Sequence, residues 1–362
     1  MLEEGRISPR QFFAFIFATI TAVSTFELPH LLLQAAKHDF WLALLLAVAL
    51  DLTIGGLLFF LGRRYPGRDL FAYAEEILGR VGGKIAGVIY SLFFLEVCVL
   101  ETRSFGEFLL VMMPETPLVV FVGILVLLAA YATYLGLEVI GRAGELVLLL
   151  LLLVTIGIPL LASPKMDLGY LLPLYQTPFR DVLRAGLTVT AFYGVCLMMG
   201  VLMAYLNLPQ HALKTKAAAV SLAGLLMAAG YAAALGLFGP QVIFPGLRYI
   251  SYQVTRLISI RGFFERLDAL AMILWFAGAF IAVSVLFYCG ALGLARVASL
   301  KSYRPLVILL GVAVAALAVY QFPDSTALES FIKSIFVPGA LAVEVGLTGL
   351  LALVAAVRPK KP

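Results

Sequence analysis

Charge is scarce in this chain. Of its 362 residues only 13% are Asp, Glu, Lys or Arg, against 62% hydrophobic residues and a mean hydropathy of +1.04. A water-facing surface needs more charge than that, which excludes the soluble globular classes. Histidine is nearly absent: His30, His38 and His211 are the whole complement, and no HxxH, HxxxxD or GxSxG grouping occurs. Gly79 to Lys84 imitates a phosphate loop, but it is one residue short and no Ser or Thr follows. No enzyme activity, cofactor or metal is therefore expected. Cys98, Cys196 and Cys289 all fall in apolar runs without a CxxC pair, so they define neither a disulfide framework nor a redox compartment. The pI is near 9.0, yet no segment interleaves dense Lys and Arg with aromatics. Nucleic acid is thus not an expected partner, and the basic balance suits cytoplasmic loops facing anionic membrane lipid.

Long apolar runs fill the space that charge leaves. A membrane crossing takes about 20 apolar residues. Runs bounded by charges or Gly/Pro clusters predict ten spans in one polytopic domain over residues 1–362. They fall near 10–34, 41–61, 84–111, 117–136 and 144–162, then 181–206, 217–239, 266–292, 305–321 and 333–357. Between the second and third, Leu70, Phe71, Ala74, Ile77 and Leu78 predict a short amphipathic helix at the interface. With the N-terminus inside, the inner loops carry sixteen Lys and Arg against nine on the outer ones. That bias predicts both termini in the cytoplasm. Ala22-Val23-Ser24 resembles a signal cleavage site, but Glu3 and Glu4 dilute the preceding charge, so the first span is expected to be retained.

The first span contains Ser24, Thr25, Glu27, Pro29 and His30. A mid-membrane carboxylate costs about 3 kcal/mol even on the lenient insertion scale. Pro29 removes a backbone donor and disfavours helix at Leu28, and the two hydroxyls suit the backbone groups that a break frees. The pattern predicts a discontinuous helix around a site. Glu27 is read as a pocket acid or as an interfacial one, with even weight. The sixth span, with Tyr193, Gly194 and Cys196, matches it: Gly194 lies about as deep as Ser24, and Pro209 follows as Pro29 does. Paired interruptions in two halves, spans 1–5 over about 10–162 and spans 6–10 over about 181–357, are the pattern of inverted-repeat transporters.

Other charges fall on helical spacings. Arg103 and Glu107 are four apart and Glu96 is seven before Arg103, so those three share a face and Glu101 points elsewhere. A neutralised structural cluster is the favoured reading, with Glu96 as its deepest member. Glu138, Arg142 and Glu145 predict an ion-paired staple. Glu265, Arg266 and Asp268 open the eighth span. Asp51 and Glu344 are isolated acids without an evident partner, either of which suits a proton.

Ordered short motifs run through nearly the whole chain. They include Asp39-Phe40-Trp41, Tyr65-Pro66-Gly67-Arg68-Asp69-Leu70-Phe71 with Ile77-Leu78-Gly79, Glu101-Thr102-Arg103 and Glu115-Thr116-Pro117. Tyr134-Leu135-Gly136 with Gly141-Arg142, Phe192-x-Gly194, Leu208-Pro209-x-His211 and Phe264-Glu265-Arg266-Leu267-Asp268 with Trp275 complete the set. In these the chain resembles the endospore germination permeases, the B subunits of spore germinant receptors, within the amino acid–polyamine–organocation superfamily. The resemblance implies an all-α membrane fold with broken first and sixth helices. It also implies a pocket among spans 1, 3, 6 and 8 for a small nutrient, often an amino acid. An A subunit and a lipoprotein C subunit are the implied partners, in the inner spore membrane. Ligand contacts implied together with the residue reading are Ser24, Thr25, Glu27, Phe93, Glu96, Val97, Tyr193, Gly194, Cys196, Ala279 and Ala282. The chain departs from the family pattern in having no glycine at Ala22–Phe26 and in placing Cys196 where an acid is usual. With Glu27 added across the pocket, a cationic ligand or an amino acid held by its ammonium is expected. A proton- or sodium-coupled permease is the alternative reading.

Overall fold

Ser8 caps the first helix: its hydroxyl accepts from the Gln11 amide while the Ser8 amide donates to Gln11 Oε1, a reciprocal cap with Pro9 in the first turn. The computed structural model describes residues 4–258 and 267–358. The expected features at Glu3, Phe264–Arg266, Lys360 and Lys361 lie outside the described residues.

The helices in order are α1 (Pro9–Val23), α2 (Leu28–Ala36), α3 (Phe40–Arg64), α4 (Leu70–Met112), α5 (Leu118–Leu135), α6 (Leu137–Ala162), α7 (Phe179–Tyr193) and α8 (Met198–Leu202). They continue with α9 (Ala212–Phe238), α10 (Pro240–Ile243), α11 (Ile250–Leu257), α12 (Leu267–Val297), α13 (Arg304–Tyr320), α14 (Ser325–Phe331), α15 (Val337–Leu341) and α16 (Thr348–Val357). Wider π-helical turns at Ile332–Phe336 and Ala342–Leu347 join the last three into one rod. Eight helical stretches are long and apolar enough to cross a membrane, and Pro9–Val23 and Arg304–Tyr320 are shorter apolar helices. The chain is an all-helical integral membrane protein. Among the described residues its β-pairing is one isolated bridge, Ile7 to Leu206.

Burial separates the centre from the rim. Residues 14–33 are buried without interruption, and so are 189–203. Within the membrane-length windows, 83% of the Phe179–Tyr205 window is buried against 17% of the Leu137–Lys165 window. A helix buried on every side must be central. The two interrupted segments therefore form the axis, with α6, α9 and α12 packed on α1 and with α3 on α7. Large apolar side chains such as Leu146, Leu153, Ile308 and Leu309 face outward.

The expected interfacial helix is present but is not separate. Leu70 to Leu78 runs into the next span through Gly79, whose φ of 79° is open to glycine and strained for other residues. The fifth long helix begins at Leu137, about two turns before the run expected at 144. Pro29 does not keep Leu28 out of a helix. It sits in the first turn of α2, where its missing donor costs nothing. Pro209 has no matching place; it opens a short 3₁₀ turn ahead of α9. Asp39, which precedes α3, accepts from the Tyr175 amide (2.6 Å) and the Thr177 amide (2.8 Å), pinning the loop before α7.

Candidate functional site

The two interruptions are tightened helix rather than extended chain. At the first, the Ser24 amide reaches the Ile20 carbonyl (3.0 Å) and the Thr25 amide reaches Ala22 (3.1 Å) before α2 starts. At the second, Gly194–Leu197 is a 3₁₀ turn between α7 and α8. Tightening displaces carbonyls from the regular ladder, and side chains take them up. Thr25 Oγ1 donates to the Thr21 carbonyl (2.5 Å), and the Tyr231 hydroxyl donates to the Ser24 carbonyl (2.7 Å). The Ser24 hydroxyl itself has no partner among the described residues.

Beside the first interruption lies a cavity of about 10 Å³, close to the minimum that holds one water. Its walls come from four segments. The first interruption supplies Phe26 and Glu27, α4 supplies Val97 and Glu101, α7 supplies Phe192, and the last rod supplies Phe336. Glu27 and Glu101 are both buried, and Glu101 Oε1 has no hydrogen-bond partner among the described residues. Phe26 also borders a second chamber of about 50 Å³ that includes Thr25, Tyr231, Trp275 and Gly278. It is held there by rings at 5.4 Å (Phe105), 5.0 Å (Phe108) and 6.3 Å (Trp275).

Of the sequence-predicted residues, Glu27 and Val97 line the small cavity, and Thr25 lines the second chamber. Gly194 and Cys196 lie in the second interruption and Tyr193 ends α7 just before it, and Tyr193 and Cys196 are fully buried. Ala279 and Ala282 are buried in α12, but the fourth wall of the small cavity is the last rod. Phe93 and Glu96 lie instead on an outward groove of α4 and α13 with the last rod, where Glu96 accepts from Gln321 (2.9 Å). Glu101 takes the inward position that the sequence reading gave to Glu96. Arg103 does pair with Glu107 (2.8 Å), and its guanidinium also caps the Ala318 and Val319 carbonyls at the end of α13.

Bridges tie the elements together on both sides of the interrupted segments. On one side Glu329 of α14 accepts from Arg248 (2.9 Å) and Lys333 (2.6 Å), with His30 at 3.5 Å. On the side of the N-terminus, the Ile7 amide donates to the Tyr205 carbonyl and the Asn207 amide to the Ile7 carbonyl, each at 3.0 Å. There the Arg6 amide meets Glu138 (3.0 Å), its side chain meets the Ala204 carbonyl, and Asp69 holds Arg296 (2.9 Å). The expected staple is only partly internal. Arg142 meets Glu138 at 3.5 Å, whereas Glu145 reaches across to Arg10 (3.8 Å) and Gln11 (3.3 Å).

Asp51 has a partner that sequence spacing hides. Lys216 Nζ lies 2.9 Å from Asp51 Oδ1, and neither side chain is exposed. Lys216, expected in a loop, is inside α9 because the helix starts at Ala212. Glu344 remains without a hydrogen-bond partner among the described residues.

Residues 6–326 match the family described as spore germination protein. The chain is 27% identical over 327 residues to spore germination protein KB of Bacillus subtilis, covering 88% of this chain and 86% of that one. It is 21% identical over 311 residues to spore germination protein XB of Bacillus anthracis, covering 85% and 86%. Its fold is similar to that of Mhp1, a nucleobase-cation-symport-1 family transporter in a closed conformation with bromovinylhydantoin bound. The TM-score is 0.73 at 15% identity, over 96% of this chain and 78% of that one. A substrate-bound, outward-open Na⁺-coupled sialic acid symporter gives a TM-score of 0.65 at 16% identity, over 96% and 79%. Fold, membrane character and the match over most of its length together place the chain in the spore germination permease family.

Proposed function

We propose that this protein is the B subunit of a spore germinant receptor, with ten membrane crossings in two inverted halves of five. In this reading α1 and α2 form one interrupted crossing, α7 and α8 the other, and both termini are cytoplasmic at the inner spore membrane. A small nutrient with an ammonium group binds beside the first interruption, in a form where the cavity is wider than the single-water space of the closed one. The observation that carries the reading is the pair of buried carboxylates, Glu27 and Glu101, on one aromatic-walled cavity. Carboxylates and ring faces both favour a cation. The bridges on each side describe a closed form, and binding favours a form with one bridge released. Partner A and lipoprotein C subunits read that change.

Titration calorimetry of the purified chain against amino acids, amines, nucleosides and sugars tests the binding step. An amino acid or amine is expected to bind. Glu27→Gln or Glu101→Gln is expected to weaken it by about 10- to 100-fold, the worth of one charge-assisted hydrogen bond. Absence of binding across the panel, with normal germination of spores lacking the protein, would refute the reading. The second reading, a proton- or sodium-coupled permease, is favoured by the same intramembrane acids. Uptake of the bound compound into proteoliposomes driven by a pH or sodium gradient would select it.

A further inference from the structure

Glu344 occupies the place where Gly194 has no side chain. A Cβ on Gly194 would lie 2.1 Å from Glu344 Oε2 and 2.7 Å from Oε1, so the carboxyl group packs directly on the second interruption. It is fully buried, and neither oxygen has a hydrogen-bond partner among the described residues. A π-helical turn, Ala342–Leu347, carries it, a distortion that recurs at functional sites. The groups facing it come from each packed element. Asp51 of α3 and Lys216 of α9 act on it through space, Tyr193 and Cys196 flank Gly194, and Tyr90 of α4 bonds Thr348 (3.1 Å) one turn further along.

From this geometry we propose that Glu344 is a proton-binding site beneath the sixth-span interruption, occupied as a neutral carboxylic acid in the closed form. The reasoning is one of charge and space. Lys216 is already bonded to Asp51, so Glu344 is the member of the trio left without a counter-charge. An ionised carboxyl group there would lack both water and donors, whereas a single proton neutralises it without needing room. A metal ion is a poorer occupant, since no three His, Cys, Asp or Glu side chains converge among the described residues. Because the carboxyl group rests on Gly194, any movement of α7 and α8 against the last rod admits water to it. The bound proton then passes to that water as hydronium, and the carboxylate is re-protonated by solvent on closing. The site stands apart from the Glu27 and Glu101 cavity and does not depend on what that cavity binds.

Infrared difference spectroscopy of the full chain in lipid nanodiscs at neutral pH tests this directly. Wild type should show a protonated-carboxyl stretch that shifts in D₂O and is missing in Glu344→Gln. The band should be the same in sodium and in choline buffers. Loss of the band on adding sodium, or identical spectra for wild type and variant, would overturn the proposal. Glu344→Met is the second neutral replacement. Both variants are expected to fold, because each mimics an uncharged side chain, and failure of both to fold would count against a resident proton.

Discussion

Removing one member of the Asp51–Lys216 pair is the sharpest perturbation the structure offers. At 2.9 Å, with both side chains unexposed, the gross attraction is about 6 kcal/mol at an effective dielectric near 20. Desolvation of the two ions offsets most of that, so the pair is worth little against an apolar replacement. Breaking it is different. Lys216→Met strips the enclosed Asp51 of its counter-charge, so it must take up a proton or stay ionised without a partner, and the expected loss is about 3–5 kcal/mol, or two to four orders of magnitude in the unfolding equilibrium. Asp51→Leu strands the ammonium with a similar penalty. The double variant Asp51→Leu with Lys216→Met removes both charges and is expected to lose less than either single. The Lys216 stem packs tightly over Gly55, 3.0 Å from where a Cβ would lie, and the shorter unbranched Met can follow the same course. Thermal unfolding of the four proteins in one detergent supplies the cycle. Additive losses, or singles within about 0.5 kcal/mol of wild type, the usual size for a surface change, would refute the claim that the pair is buried and coupled.

Gly194→Ala should destabilise by about 1–3 kcal/mol, because its Cβ would fall 2.2 Å from the Glu344 Cδ, and adding Glu344→Ala should recover part of the loss in the same unfolding assay. Tyr231→Phe leaves the buried Ser24 carbonyl without its donor, and a loss of about 1–3 kcal/mol is expected. An unchanged melting temperature would show that another group takes over. Glu329→Gln weakens the carboxylate that Arg248, Lys333 and His30 share, worth about 0.5–1 kcal/mol at this partly exposed position. Amide exchange should then quicken in Leu28–Ala36 and around residues 244–250 while α9 stays protected.

The chain's own pattern was enough for several conclusions. Low charge and long apolar runs dictate a membrane protein whatever the packing, because bilayer thickness and backbone hydrogen bonding leave few alternatives. The two interruptions were equally legible, since a hydroxyl pair, an acid and a proline, or a central glycine, stand out against a uniform apolar background. Periodicity on α4 also held in relative terms: Glu96 and Arg103 both turn to α13, and Glu101 points away from them.

Only the tertiary structure decided which way those faces look. Helical spacing fixes angles between residues on one helix and says nothing about which neighbour each angle meets. Glu96 therefore ends on an outer groove and Glu101 in the pocket. The same limit hid Lys216. Beside Lys214 and a proline-bearing connector it reads as loop charge, and its burial depends on Asp51, 165 residues earlier. It likewise hid the contact between Gly194 and Glu344, which exists only because two distant helices pack closely enough for one to lend the other its missing side chain.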